Sequence, residues 1–353
     1  MSFLPKPKLH HPELAINDLG LSRRDYEGAI STLCAGCGHD SISAAIIRAC
    51  HELSLPPYRI AKLSGIGCSS KTPTYFLGAA HGFNSVHGRM PSVATGAYLA
   101  NRDLIYLGVS GDGDSASIGL GQFAHALRRG VNMTYIVENN GVYGLTKGQF
   151  SATSDRGSTS KKGVVNTDSA IDLVGLALQL GATFVARSFS GDKAQLVPLI
   201  KAALQHPGAA FIDCLSPCVQ FNNHHGSTKS FDYVREHNEA VNRLDYITGR
   251  DEITADYAPG SVEVVVQHDG STLRLRKLEA EYDPHDRTSA LAYLQERTMA
   301  GEIVTGLLYV EPEPEDLHRH ANTVATPLNA LDDVALCPGS AALASVNAAL
   351  RHT

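Results

Sequence analysis

Two groups of side chains carry spacing that chemistry could use. The first is oxygen-rich: Asp112 and Asp114 lie in the run Gly111-Asp112-Gly113-Asp114, and Asn139-Asn140 follows, with Asn140 placed 28 residues after Asp112. Glycines let a backbone approach an anion closely, but an aspartate beside a phosphate is repelled unless a divalent cation lies between them. Asp112 and Asn140 therefore suit Mg²⁺ held together with one backbone carbonyl and a diphosphate. The second group is thiol: Cys34 and Cys37 form a CxxC, Cys68 stands in Gly65-Ile66-Gly67-Cys68-Ser69-Ser70-Lys71, and Cys218 in Ser216-Pro217-Cys218. A lone CxxC serves zinc, a redox dithiol or an iron–sulfur cluster equally. Four thiolates brought from three strand-end loops suit one [4Fe-4S] cluster, since soft sulfur holds iron and nearby glycines leave N–H groups free for the cluster sulfurs. Cys214 competes with Cys218 but falls inside the strand-like FIDC, where it is expected to face the core. Cys50 and Cys337 read as buried or free thiols.

The elements that must position these groups alternate. Residues 104–109 form an apolar β-rich run ending at the Gly-Asp motif, an amphipathic segment follows, and 133–137 form a second β-rich run ending at Asn139-Asn140. Upstream, Asp40 is expected to cap a helix reaching about residue 53, 58–63 reads as a strand, and 93–101 as a short helix. Downstream, 170–179 and 193–204 read as helices, and 183–186 and 210–214 as strands. This alternation argues for a doubly wound, mainly parallel sheet covered on both faces, where ligands bind beyond the carboxyl ends of the strands. Residues 151–168 read as a long polar loop that orders on ligand, and 262–267 with 272–276 as a hairpin. A helix is expected at 290–296, and from Glu311 a Pro-rich acidic tail reads as an arm wrapping a neighbour. The expected division is an N-terminal arm at 1–30, an α/β domain at 31–300 and a C-terminal arm at 301–353.

Composition excludes several classes. The 353 residues are 43% hydrophobic with net charge −6, enough for a full core and without the basic footprint of a nucleic-acid or anionic-membrane binder. No apolar run of membrane-spanning length is expected, and MSFLPKPKLHHPEL lacks the apolar centre of a signal peptide. The expectation is a cytoplasmic protein whose seven cysteines are thiols or ligands rather than a disulfide framework.

GDG followed some 25 to 30 residues later by N or NN resembles the diphosphate-binding domain of thiamine diphosphate enzymes. By that resemblance Asp112 and Asn140 bind Mg²⁺ through side chains and Val142 through its carbonyl. With CAGCGHD, GIGCSSK, HGR, GDGD, NNGVYGLTKGQ, SPCVQFN and YDPHDR in this order, residues 30–300 resemble the β subunit of 2-oxoacid:ferredoxin oxidoreductases. The resemblance implies thiamine diphosphate, Mg²⁺ and one [4Fe-4S] cluster ligated by Cys34, Cys37, Cys68 and Cys218. Diphosphate and thiazolium contacts fall on Ile66, Gly67, Ser69, His87, Gly113, Asp114, Gly144 and Leu145. Lys71 and Lys147 are placed to meet substrate carboxylates, while His39 and Arg89 are weaker candidates that buttress loops.

The implied reaction is oxidative decarboxylation of a 2-oxoacid, coenzyme A taking the acyl group and ferredoxin the electrons. The implied partner is a separate α subunit supplying the pyrimidine-binding half, in an (αβ)2 assembly. Two lysines and the CAGCGH/YGLTKGQ/PLN set favour 2-oxoglutarate, with pyruvate or a broad 2-oxoacid range as the runner-up. The rivals are a non-oxidative thiamine-dependent decarboxylase subunit and a zinc-stabilised binding module. CAGCGHD replaces a Pro found before the Gly in many relatives but keeps the sulfur positions. No ferredoxin-like CxxCxxCxxxC run occurs, so one cluster is the most this chain carries.

Overall fold

A computed structural model describes residues 14–241, 258–266, 272–279 and 282–351. The sheet strands are β1 (Ile60–Ser64), β2 (His81–Asn84), β3 (Ile105–Gly111) and β4 (Met133–Asn139), followed after the short ribbon β5 (Val142–Tyr143) and β6 (Gln149–Phe150) by β7 (Phe184–Phe189), β8 (Ala209–Leu215), β9 (Asn238–Val241), β10 (Val262–Val266), β11 (Thr272–Arg276) and β12 (Ile303–Val310). Ten of them join in the order β2-β1-β3-β4-β8-β7-β12-β9-β11-β10. The first six run parallel, and β12 joins β7 antiparallel.

The sequence builds this sheet because its central strands are apolar on both sides. Ile136 of β4 packs with α1 (Gly38–Glu52) on one face, while its neighbours Tyr135 and Val137 belong to the core of the other face, the period-2 alternation of a strand covered twice. The second face carries α2 (Met90–Ala100), α3 (Leu120–Arg128) and α4 (Leu173–Gln179), with Tyr98, Phe123 and Leu178 in its core. On the first face α5 (Lys193–Gln205) lies beside α1, contributing Leu196 and Ile200. Asp172 and Asp192 cap α4 and α5 by accepting backbone N–H groups of Val174 and Gln195. Ser230 caps α6 (Phe231–His237) in the same way, and Asp286 caps α7 (Arg287–Met299).

The doubly wound, mainly parallel sheet expected from sequence is present, with several local corrections. Asp40 is not the cap of α1: the helix starts at Gly38, with Cys37 at its N-cap, and Asp40 accepts a 2.6 Å bond from Ser31. The segment after the Gly-Asp motif begins as a wide π-type turn, Gly113–Ile118, before α3. Residues 151–168 hold more local structure than a plain loop. Ser151, Thr153 and Ser154 are buried, and 159–165 close into a hairpin through a Thr159–Val165 bridge. The hairpin of β10 and β11 is present in antiparallel register, its connecting residues lying outside the described ones.

The boundary expected at residue 300 falls too early, because β12 pairs with both β7 and β9 and is part of the sheet. The N-terminal boundary also blurs. Tyr26 is fully buried, and its hydroxyl donates to Leu55 O at 2.9 Å. Beyond β12, α8 (Leu317–His320) precedes α9 (Asp333–Leu336) and α10 (Gly339–Leu350), the last two without a buried residue. Contrary to the sequence expectation, Asp333–Leu350 reaches 18 residues at mean hydropathy 1.2. The chain breaks there at Pro338, and the 12 residues of α10 extend about 18 Å, short of a bilayer's hydrocarbon core of roughly 30 Å.

Candidate functional site

Because β1, β3, β4 and β8 are neighbours in one parallel array, their carboxyl ends deliver Cys68, Asp112, Asn140 and Cys218 to the same edge. The Cys34–Cys37 loop arrives from the start of α1. A Cβ on Gly38 would lie 2.6 Å from the hydroxyls of Ser190 and Ser216, so only glycine lets α1 begin this close to the ends of β7 and β8.

A cleft opens at this edge. It is lined by Ile66, Gly67, Cys68, Ser69, His87, Asp112, Gly113, Asp114, Asn140, Val142, Gly144 and Leu145, so every expected Mg²⁺, diphosphate and thiazolium residue faces one space. Lys71 and Lys147 are exposed and do not line it. Arg89 is exposed, and its guanidinium donates to the neighbouring Gly88 carbonyl.

Asp112 is 1% exposed. Its carboxylate accepts from Thr153 Oγ1 at 2.8 Å, from the Ser151 hydroxyl and from the Asn140 N–H at 3.3 Å. Burial raises its pKa above the ordinary aspartate range while these three donors pull it back. Among the described residues no Lys, Arg or His is paired with it. A buried carboxylate with donors but no cation is the arrangement a bound Mg²⁺ would complete, and Asn140 across the strand ends adds an amide oxygen. The residues therefore fit Mg²⁺ and a diphosphate.

Asp114, which lines the cleft, also fastens the loops around it. Its carboxylate accepts from Gly88 N at 2.7 Å, Ile66 N at 3.2 Å, Ser110 Oγ at 2.5 Å and His87 Nδ1. Four donors commit this side chain to tying three loops together. Two glycines make the packing possible: a Cβ on Gly65 would sit 1.9 Å from Asp114 Oδ2, and one on Gly113 2.5 Å from the Tyr143 ring.

The four cysteines converge beside the cleft. A Cβ on Gly144 would lie 3.5 Å from Cys68 Sγ and 3.6 Å from Cys218 Sγ, so this glycine keeps open the space between two sulfurs. Cys37 is pushed up to about 12, chiefly by burial, with Glu138 and Cys218 adding to it, and Cys68 rises through burial, Cys218 and Cys34. Thiols that raise one another's pKa stay protonated until a cationic centre holds them as thiolates. Among the described residues no three His, Cys, Asp or Glu side chains are grouped for a metal ion. A single Zn²⁺ would draw its sulfurs to within about 4 Å of one another, whereas an iron–sulfur cubane is itself several ångströms across and takes sulfurs spread around it. Thiols gathered around the space that Gly144 keeps open have the donor chemistry of an iron–sulfur cluster. Cys50 and Cys214 are fully buried in the core and Cys337 is exposed, as expected.

Sequence reading missed Glu138. It is fully buried on β4, lines the cleft, and among the described residues neither carboxylate oxygen has a partner of good hydrogen-bond geometry, although Thr72 approaches closely enough to lower its pKa. Its signal was present, an acid inside the apolar run TYIVENN. Burial raises its pKa well above the carboxylate range. His39 Nδ1 lies 3.4 Å away and also meets Ser216 Oγ at 2.6 Å, and burial lowers this imidazole to about 4. Burial therefore disfavours the charged form of both partners.

This fold and site define a thiamine diphosphate-binding domain, and residues 65–214 match the thiamine pyrophosphate enzyme C-terminal TPP binding domain. The chain is 44% identical over 204 residues to 2-oxoglutarate oxidoreductase subunit KorB of Mycobacterium tuberculosis, covering 58% of this chain and 53% of that one. It is 45% identical over 195 residues to the 2-oxoacid:ferredoxin oxidoreductase subunit beta of Saccharolobus solfataricus, covering 54% and 63%. With 2-oxoglutarate synthase subunit KorB of Methanocaldococcus jannaschii it shares 37% over 191 residues, covering 53% and 69%. A solved 2-oxoglutarate:ferredoxin oxidoreductase from Magnetococcus marinus, with 2-oxoglutarate, coenzyme A and succinyl-CoA bound, superposes with a TM-score of 0.69 at 29% identity, over 90% of this chain and 94% of that one. The chain belongs to the 2-oxoacid:ferredoxin oxidoreductase β-subunit family. Its matches span just over half to somewhat under two thirds of the first two relatives named.

Two outcomes test this geometry. Asp112→Asn removes a buried charge while keeping an acceptor for Ser151 and Thr153. The cofactor-free chain should gain about 1–2 kcal/mol in denaturant unfolding and lose Mg²⁺-dependent thiamine diphosphate binding in titration calorimetry. Lost stability together with retained Mg²⁺ dependence would refute the assignment. Glu138 has its folded pKa above its unfolded one, so its contribution to stability, full below about pH 4.5, is lost as pH rises through the folded pKa. His39, lowered to about 4, opposes this only below about 6.5. Stability of the cofactor-free Glu138→Gln chain should therefore fall less with rising pH above about 4.5 than that of the parent, read from unfolding curves across a pH series.

Proposed function

We propose that this chain is the β subunit of a coenzyme A-dependent 2-oxoglutarate:ferredoxin oxidoreductase, working with an α subunit in a cytoplasmic (αβ)2 assembly. The observation that carries it is the convergence of the Asp112–Asn140 pair and the four cysteines Cys34, Cys37, Cys68 and Cys218 on one edge of one sheet. In the overall reaction the C1–C2 bond of the 2-oxoacid breaks, CO₂ leaves, and the coenzyme A sulfur bonds to C2. Two electrons and a proton are released, the electrons to one-electron carriers. Bound thiamine diphosphate supplies the carbanion chemistry and the cluster the one-electron outlet.

The residues of this chain then do the following. Asp112, Asn140 and the Val142 carbonyl hold Mg²⁺ on the diphosphate. Gly67, Ser69 and Gly113 bring backbone and hydroxyl groups to the diphosphate, while Ile66, Leu145, Gly144 and His87 border the thiazolium. His87 Nδ1 is tied to Asp114, which leaves Nε2 for the cofactor side. Asp114 acts through the loops it fastens.

Lys147 carries a positive φ of 81°. A left-handed lysine costs about 1–2 kcal/mol, a strain that marks functional positions more often than structural ones. With Lys71 it provides two ammonium groups near the cleft for a dicarboxylate. This supports 2-oxoglutarate over pyruvate, as do the names of the Mycobacterium, Methanocaldococcus and Magnetococcus proteins.

The decisive experiment is anaerobic co-purification with the α subunit. It should give about four irons and four sulfides per β chain and viologen reduction dependent on both 2-oxoglutarate and coenzyme A. An iron-free, active complex would establish the non-oxidative decarboxylase instead. Separately, Lys147→Gly relieves the backbone strain, so the chain should be stabilised by about 1 kcal/mol. The KM for 2-oxoglutarate should rise about tenfold with the KM for pyruvate little changed. An unchanged preference would remove Lys147 from substrate recognition.

A further inference from the structure

The loop that follows β8 and carries Cys218 is joined to the end of β4 at two successive carbonyls. Ser216 N donates to Asn139 O at 2.7 Å, which continues the pairing of β8 with β4. The second bond is of another kind: the Asn222 side chain reaches back, and its Nδ2 donates to Asn140 O at 2.8 Å. Asn222 is 2% exposed, and among the described residues its Oδ1 has no hydrogen-bond partner. The bond to Asn140 O fixes the orientation of this amide, since a flipped amide would set oxygen against oxygen.

Both ends of this link are fixed to residues assigned as ligands. At the cysteine end, Asn222 N donates to Cys218 O at 2.9 Å and Phe221 N to the same oxygen at 3.2 Å, so Cys218 and Asn222 belong to one closed turn. At the other end Asn140 Oδ1 accepts from Val142 N at 3.0 Å, which ties together two of the residues assigned to Mg²⁺. That turn has little room to shift alone. Gly141 stands at φ +73°, and a Cβ there would lie 3.1 Å from Asn222 Nδ2 and 3.1 Å from Lys229 Cγ. Asn222 itself does not line the cleft. Any movement of the Cys218 turn is thus passed by one buried amide to the turn that carries Asn140 and Val142.

We infer that Asn222 is a positioning residue that couples the two cofactor sites, so that filling the cysteine site tightens the binding of Mg²⁺ and thiamine diphosphate at the other. The inference rests on the proposed assignment of both sites. With the sulfurs held, the Cys218 turn is fixed, and through Asn222 the Asn140–Val142 turn is fixed with it. With the sulfurs free, both turns relax, and the cofactor has to order them as it binds. Linkage makes the effect reciprocal: bound cofactor holds the iron more tightly by the same factor.

The test uses the αβ assembly, either loaded with iron anaerobically or stripped of it by a chelator, in the parent and in Asn222→Ala and Asn222→Asp. The aspartate keeps the size of the side chain and the backbone bond to Cys218 but puts an oxygen where the donor was. Affinity for thiamine diphosphate with Mg²⁺ is read by titration calorimetry, and iron loss to a chelator, with and without the cofactor, by absorbance. In the parent the Kd of the iron-loaded assembly should be about tenfold lower than that of the stripped one, and saturating cofactor should slow iron loss. In both variants the ratio of the two Kd values should fall to near one while the iron content is kept. A parental ratio near one, or variants with the parent's ratio, would overturn the assignment. So would variants that no longer take up iron, which would make Asn222 a support of the cysteine loop alone. A parent that takes up no iron would instead overturn the cluster reading, and the coupling with it.

Discussion

Two carboxylates, Asp112 and Asp114, are buried two residues apart at the end of β3, at 1% and 3% exposure. Removing such groups from water costs several kcal/mol each unless donors replace the lost hydration. The donors come from several loops at this edge of the sheet. Asp114 draws in the Ile66 and Gly88 amides and His87, fixing the loops after β1 and before α2. Asp112 draws in the Asn140 amide, Ser151 and Thr153, fixing the end of β4 and the start of the long loop. The cleft is thus organised by the need to solvate two acids, and it has its shape before any ligand enters.

The support extends well behind the site. Thr153 Oγ1, whose one proton lies between Asp112 and Asn139, is also 2.9 Å from Asn139 Oδ1, Asn139 Nδ2 donates to Asp213 Oδ1 at 3.0 Å, and Arg187 bonds both Asp213 and the α4 cap Asp172. A continuous polar path therefore runs from the proposed Mg²⁺ ligand through β4, β8 and β7 to a helix terminus. Every link is satisfied by side chains rather than left to solvent, which makes the orientation of Asp112 a property of the sheet rather than of its own loop.

How much of this was legible in the sequence depended on range. The Asp112–Asn140 pairing could be read because both residues end consecutive parallel neighbours, so a fixed sequence spacing maps onto adjacent strand ends. The apolar strands were legible because burial on both faces leaves no polar alternation. The role of Asp114 was not, since a GDGD run does not show which of its two acids the surrounding loops will occupy. Nor was the left-handed backbone of Lys147, or the hairpin inside a stretch whose Ser, Thr, Gly and Lys composition reads as loop. The strand β12 was missed for a related reason: its place depends on β7 and β9, both remote in sequence, and no local pattern encodes that pairing.

The wall between the two halves of the site follows the same electrostatic logic. Glu138 and His39 stand between the cysteine loops and Asn140, with His39 Nε2 3.4 Å from Asn140 Nδ2. An ionised glutamate there would repel both the thiolates on one side and a diphosphate on the other. Burial favours the neutral form of both, raising the pKa of Glu138 and lowering that of His39 to about 4, so the wall adds polarity with little tendency to charge. Two strongly anionic ligand sets can then lie close together in one low-dielectric edge, their charges compensated by the metal centres they would hold and not by the protein between them.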